Sequence, residues 1–272
     1  MKSETIDLSG VPETMLWPLW NRAAESQARN PLITDPISSD LVSRIDYDFE
    51  SKFDKPNAAH AIRARYSDDL ILIFLKNNPD GIIVALGEGL DSAFWRIGND
   101  QVHWYSVDVP ESIEVRESFL PSHEHMHTIA CSALDDAWLD EIPNNTPLFI
   151  SASGLFMYFT REDVVNLLRK IVTRFKNVEF FFDTISEALS KKTTSSKGWK
   201  ITPNYTAPPM PFGVDLEDIA KFAKEIPGFS IIEVLSYTDP YPERLRFFWF
   251  LCLLPRIRKK LAPGLIHARV VF

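Results

Sequence analysis

The sequence predicts an α/β protein built on a doubly wound sheet, with a helical cap in front of it. Three observations predict this. Short, continuous apolar runs recur from residue 82 onward, beginning with Ile82 to Leu86, as expected of parallel strands covered on both faces. Segments of helix-like apolar spacing alternate with those runs, and strand, helix, strand is the rhythm of a sheet with right-handed crossovers. The first run ends in Gly87-Glu88-Gly89, a Gly-x-Gly turn at the place where a ligand can approach backbone amides closely. With 272 residues, 45% of them hydrophobic, the chain is long enough for one large domain with a buried core.

Residues 1–57 read as the cap, part of the same domain as the core at 58–272. Leu16, Trp17, Leu19 and Trp20 stand at helical spacing, and Pro31, Pro36 and Pro56 break the segment into short helices joined by irregular turns. Asn57 is placed to cap a helix whose stripe is Ile62, Tyr66, Leu70, Ile73 and Phe74, stopped by Pro79-Asp80-Gly81. Strands are expected at 82–86, 103–109, 126–131, 148–152 and 178–184. Between the last two, Thr160 caps a helix with Val164, Leu168, Ile171, Val172 and Phe175 on one face, and Asp163 stands as its capping-box partner. The polar stretch 190–200 reads as a mobile loop, and 190–210 as a segment that orders on binding. Two late strands at 230–237 and 266–272, separated by a helix-like 242–260, close the sheet.

Composition excludes several classes of function. The 29 basic and 37 acidic residues leave a net charge of −8, a poor match to a nucleic-acid backbone. Cys131 and Cys252 lie far apart with no metal or redox spacing, and the polar start of the chain lacks the pattern of a signal peptide, so a cytoplasmic protein is expected. The run from Leu245 to Leu254 is too short to span a bilayer. It reads as a buried helix with a solvated end, and a surface anchor using Arg256, Arg258, Lys259 and Lys260 is the competing reading.

Open sheets of this kind bind ligands at the carboxyl ends of their strands. There, Asp108 follows Gly87 by 21 residues, at the end of the second strand, where a carboxylate can accept hydrogen bonds from both ribose hydroxyls. Ser92 stands where a dinucleotide fingerprint has its third glycine, so the turn suits an adenosyl cofactor without a pyrophosphate better than a nicotinamide or flavin. His123, His125 and His127 invite a metal reading, but they fall in a polar turn without identifiable further ligands, and no metal is assigned. Trp17, Trp20 and Trp95 serve equally well as acceptor-pocket walls or as packing between cap and sheet.

A resemblance then becomes specific. SGVPETMLWPLWNRAAES (9–26), NPLITDP (30–36), RIDYDF (44–49), Arg63 to Arg65, VALGEGLDSAFWR (84–96), WYSVDVPESIEVRESFLP (104–121) and SGLFMYF (153–159) occur in order. With them the chain resembles the leucine carboxyl methyltransferase superfamily, in its bacterial polyketide O-methyltransferase (tetracenomycin carboxyl methyltransferase-like) branch, from residue 9 to about 175. The resemblance implies a class I methyltransferase (Rossmann-like) sheet, mostly parallel with a late antiparallel strand, that binds S-adenosylmethionine. It implies Arg63 for the methionine carboxylate, Gly87 and Gly89 for backbone contact, Asp91 capping the next helix, Asp108 for the ribose, and Ser132 and Ala133 for the adenine, with Asp135 as a substitute. At Ser153 the family usually has a glutamate.

The activity implied is O-methylation of a carboxylate or hydroxyl on a small, polyketide-like acceptor. A carboxylate is already ionised at neutral pH and needs no base. A phenol or alcohol needs one, for which Tyr158 and Asp183 are the candidates. Two alternatives remain: a catalytically degenerate cofactor-binding protein, prompted by Ser153, and a carboxyl methyltransferase acting on a protein C-terminus. An enclosed pocket favours a small acceptor, an open groove a protein.

Overall fold

The computed structural model describes residues 8–271. The strands are β1 (Ile82–Leu86), β2 (Trp104–Asp108), β3 (Met126–Ala130), β4 (Leu148–Ala152), β5 (Val178–Thr184), β6 (Trp199–Thr202), β7 (Tyr205–Ala207), β8 (Phe229–Ser236) and β9 (Gly264–Val270). Seven of them form one sheet in the order β3-β2-β1-β4-β5-β9-β8, and β6 and β7 pair as a separate hairpin. β1 to β5 pair in parallel, whereas β9 runs antiparallel to both β5 and β8. The chain moves outward from β1 to β3 and then returns to the other side of β1, which makes the β1/β4 junction the switch point of the sheet.

Period-two alternation divides the core. Val84, Ile150, Phe180 and Phe182 pack on one face, against Trp138, Val164, Leu168 and Ile171. Ile83, Ala85, Phe149 and Phe181 pack on the other, against Ile62, Tyr66, Leu70 and Phe74. Because both faces are covered, β1 is apolar throughout, β4 is apolar except at Ser151, and β5 is apolar at Val178 and from Phe180 to Phe182, which is why these strands were legible as nearly continuous runs.

The helices are α1 (Leu16–Ser26), α2 (Pro36–Arg44) and α3 (Phe49–Phe53) in the cap, followed by α4 (Ala59–Asn77), α5 (Ala93–Ile97), α6 (Pro110–Phe119), α7 (Ala137–Glu141), α8 (Arg161–Arg174), α9 (Glu187–Thr193), α10 (Ile219–Ala223), α11 (Arg246–Cys252) and α12 (Pro255–Leu261). The capping box of α8 is present, with Thr160 and Asp163 each bonding the other's backbone. Asn57 bonds the Ala59 amide from one residue outside the α4 N-cap, and Ile73 falls off the buried stripe at 57% exposure.

Two segments differ from expectation. The stretch 190–200 is not one loop: α9 continues to Thr193, and β6 begins at Trp199. The β6–β7 hairpin is docked on the cap, where Thr202 Oγ1 donates to the Ser51 carbonyl (2.8 Å) and Tyr205 packs edge-on to Phe53 (4.9 Å between centroids). The segment 242–260 is broken before Pro255, and α11 buries only Cys252, so it is not the core helix its apolar composition predicts. Both cysteines are free thiols. Among the described residues no helix is long and apolar enough to cross a membrane.

Candidate active site

At the carboxyl ends of β1, β2, β4 and β5 lies a cavity of about 920 Å³, covered by residues of the cap and by Trp199 and Met210 from the hairpin region. Its floor is the turn after β1. Gly87 (φ 62°) and Gly89 (φ 50°) both take the left-handed conformation, and the Gly89 amide donates to Asp108 Oδ2 at 2.8 Å. Gly87 lines the cavity, and a Cβ on it would come within 2.6 Å of Leu155 Cδ1, so the position has no room for a side chain. The second Asp108 oxygen accepts from the Val109 amide at 2.8 Å. Burial raises the Asp108 carboxyl above its ordinary value, against the pull of these amides. With Ser112 as a further hydrogen-bond partner, the carboxylate still keeps acceptor capacity toward the cavity.

Arg63 reaches the cavity from α4 and is held there by Asp183 at the end of β5, with Nη1 donating to Oδ2 at 2.9 Å. Asp183 also accepts from the Tyr237 hydroxyl (2.6 Å) and from the Gly154 amide (2.5 Å). A carboxylate engaged by three donors, one of them a guanidinium, orients Arg63 and is not placed to take a proton from an acceptor. The role of base considered for Asp183 is therefore replaced by that of anchor. The remaining guanidinium donors of Arg63 suit a carboxylate.

Asp91 also departs from its expected role. It does not cap α5, whose N-cap is Ser92, but meets Arg96 Nη1 at 2.6 Å and Arg22 Nη1 at 3.7 Å. Burial alone would raise its carboxyl; Arg22 and Arg96 outweigh that and hold it well below the usual range. The same two arginines grip Asp35, the N-cap of α2, which also accepts from Ser92 Oγ at 2.7 Å. Arg96 further binds Asp68 of α4 through Nε (2.8 Å) and Nη2 (3.0 Å).

Ser132 and Ala133 line the cavity after β3. Asp135 does not; its carboxylate closes the local turn by accepting from the Ser132 amide at 3.1 Å. Ser153 lines the cavity too, its hydroxyl 3.4 Å from Ser151, which is 3.4 Å from Ser67: a row of hydroxyls stands where the resemblance leads one to expect a carboxylate. Tyr158 faces the cavity with its phenol raised by burial, and so stays protonated at neutral pH. Trp17 lines the pocket near Trp199 (6.1 Å between centroids). Trp20 instead stacks on Phe49, and Trp95 packs on Phe94 and under Arg116. His123, His125 and His127 lie outside the cavity, with His127 Nε2 3.2 Å from His103 Nδ1.

Several cavity residues were not expected from the sequence, Glu88 and His60 among them. Glu88, inside the Gly-x-Gly turn, is buried against Arg116 (3.0 Å), and its carboxyl is raised by burial despite that pairing. His60 sits one turn before Arg63 on α4, and that spacing was the available signal. The Asn57 amide donates to Asn21 Oδ1 (3.1 Å), which turns Asn21 Nδ2 toward His60 Nδ1 (2.6 Å). Nδ1 is thus an acceptor and the ring proton is on Nε2. Burial, with the charges of Arg63 and Arg22, keeps the imidazole neutral well below its ordinary pKa.

The strand order, the glycine turn with its acidic partner, and the buried arginine together define a class I methyltransferase. Comparison with known proteins gives the family. The leucine carboxyl methyltransferase family profile matches residues 16–172. The chain is 33% identical over 210 residues to the tetracenomycin polyketide synthesis O-methyltransferase TcmP of Streptomyces glaucescens, covering 73% of this chain and 78% of that one. It is 31% identical over 211 residues to the S-adenosyl-L-methionine-dependent methyltransferase dpfgK of Gibberella zeae, covering 67% and 70%. The plantazolicin methyltransferase BpumL, solved in complex with S-adenosylhomocysteine, shares the fold with a TM-score of 0.51 at 12% identity, over 97% of this chain and 100% of that one. The chain belongs to the leucine carboxyl methyltransferase family, and its activity is that of an S-adenosylmethionine-dependent methyltransferase.

Proposed function

We propose that this protein methylates a carboxylate oxygen of a small, largely apolar, polyketide-like acceptor in the cytoplasm. The observation that carries the reading is the hydrogen-bonding state of His60. A neutral imidazole with its proton on Nε2 is a donor to an oxygen in the cavity and a poor base, and Asp183 is already engaged by three donors, one of them a guanidinium. The site therefore favours an acceptor that arrives ionised.

The residues fit S-adenosylmethionine. The glycine turn admits close backbone approach, Asp108 offers its oxygens to the ribose, Arg63 pairs with the methionine carboxylate, and Ser132, Ala133 and Ser153 border the adenine and sulfonium regions. When bound, the cofactor supplies an electrophilic methyl group for in-line displacement. The chain's task is alignment, and orientation of this kind can contribute roughly 7–11 kcal/mol. His60 and the protonated Tyr158 orient the acceptor oxygen, while Trp17, Trp199, Met157 and Met210 enclose its apolar part and exclude water. Coverage by the cap and hairpin favours a small acceptor over a protein C-terminus.

Calorimetric titration of S-adenosylmethionine and S-adenosylhomocysteine tests the cofactor site. We expect micromolar binding by the wild type, weakened at least about tenfold, or on the order of 1.4 kcal/mol, in both Arg63→Ala and Asp108→Asn. No binding by the wild type would make the replacement at Ser153 decisive and establish the degenerate reading.

A further inference from the structure

Among the described residues, the most exposed apolar side chains lie on α11 and α12. Phe247 is 79% exposed, Phe250 65%, Leu253 and Leu254 56% each, and Trp249 and Leu261 also face solvent. Scattered exposed leucines are ordinary, but a contiguous stretch with two phenylalanines and a tryptophan marks a surface made to be covered. The charge here also runs against the rest of the chain: residues 244–261 contain six basic and no acidic side chains in a protein of net charge −8. Arg244, Arg258 and Lys259 pair with Glu25, Asp239 and Glu217. Arg246, Arg256 and Lys260 are exposed and have no ion-pair partner among the described residues.

We propose that α11 and α12 dock the protein on an anionic lipid surface, the aromatic and leucine side chains entering the interface and the three free cations meeting lipid headgroups. Short apolar segments flanked by Lys and Arg suit this arrangement, because each part offsets what the other lacks: apolar burial holds the segment in place, and charge draws it to anionic lipid. The competing occupant, a second copy of the chain, fits less well. A two-fold contact would press this basic stretch against a second copy of itself, with no acidic side chain between residues 244 and 261 to offset it. The placement also suits the activity. α12 leads directly to Pro263, which lines the cavity, and the Lys260 carbonyl accepts from Ser186 Oγ (2.6 Å) just before α9, whose Leu189 lines it too. An apolar acceptor of the kind proposed above would concentrate in the same lipid; that clause rests on the proposed function, while the docking does not.

Vesicle co-sedimentation of the full chain tests it. Vesicles of phosphatidylcholine with about 30% phosphatidylglycerol should carry down at least about tenfold more protein than pure phosphatidylcholine, and added salt should reverse this. Phe247→Glu with Phe250→Glu should abolish binding, as should Arg246→Glu, Arg256→Glu and Lys260→Glu combined; circular dichroism and S-adenosylhomocysteine affinity should be unchanged in both. Failure of the wild type to sediment with the anionic vesicles overturns the proposal, as does binding that neither variant alters. A wild-type dimer by light scattering that becomes monomeric in the phenylalanine variant overturns it as well, and gives the surface to a second copy.

Discussion

An imidazole whose Nδ1 already accepts a hydrogen bond has its Nε2 proton left to offer, and at His60 that offer is made inside the cavity. Removing it should therefore affect acceptor binding more than chemistry. We expect His60→Ala to raise the acceptor KM about tenfold while kcat and S-adenosylmethionine affinity change little, the pattern of a lost binding contact. The wild-type rate on a carboxylic acid should be flat from about pH 6 to 9, because neither the acceptor nor the depressed imidazole titrates there. A rate that rises through about pH 7 and loses that limb in His60→Ala would make His60 a base instead. That Arg63 and Asp108 line the cavity was readable, from the family resemblance for the first and from motif spacing for the second. The anchoring of Arg63 was not, since Asp183 stands 120 residues away in sequence and only the sheet brings the two together. Asp183→Asn, which removes one partner of a buried ion pair, should cost about 3–5 kcal/mol in urea unfolding and weaken S-adenosylmethionine binding by freeing Arg63.

Among the elements, legibility followed burial. β1, β4 and β5 are covered on both faces and were read to the residue, whereas β2, β8 and β9, nearer the sheet's edges, are displaced by one or two residues from the apolar runs that announced them. The β6–β7 hairpin was missed because its buried Tyr205 and Ala207 lie in a polar neighbourhood and gain their burial from distant parts of the chain, the cap for Tyr205 and Met157 and Ile185 for Ala207. α11 failed in the opposite sense: apolar composition does not say whether a helix is covered by its own chain. The turns after strands carry the clearest functional constraint. Gly154, after β4, has φ 73°, and a Cβ there would lie 2.7 Å from Arg63 Nη1. Gly98, at the end of α5, has φ 68° with nothing within 4 Å of such a Cβ. Alanine at either position should cost roughly 1–2 kcal/mol for the left-handed conformation. Only Gly154→Ala should also weaken S-adenosylmethionine binding, by displacing Arg63. Equal affinity in the two variants would show that Arg63 does not need its present position.

At the scale of the whole molecule, cap and core are joined by charge as well as by apolar packing. Arg22 and Asp35 from the cap interlock with Asp68, Asp91 and Arg96 from the core, and all five are largely or fully withdrawn from water. Sequence order does not reveal such a network, because its members are ordinary polar residues until the fold collects them. Its pH dependence has two limbs. Asp35 and Asp91 are held below their unfolded value of 3.8, so the stability they contribute is complete above about pH 4 and is lost as pH falls through their folded values. Asp68 works in the other direction: burial outweighs Arg96 and raises it to about 6, so between 3.8 and about 6 the folded state holds a proton that the unfolded chain has released, and stability declines as pH rises through that window. Protection of α1 and α2 amides from hydrogen exchange should therefore peak at about pH 4 to 5, fall steeply below that, and decline gently toward neutrality. Asp68→Asn should flatten the upper limb and leave the acid limb in place, while Asp35→Asn should lower protection by about 3–5 kcal/mol above about pH 5 and by progressively less as the acid limb is entered. Cap protection that is constant from about pH 3 to 7 in the wild type would show that apolar packing alone holds the cap, and would remove the ion network from the account of its stability.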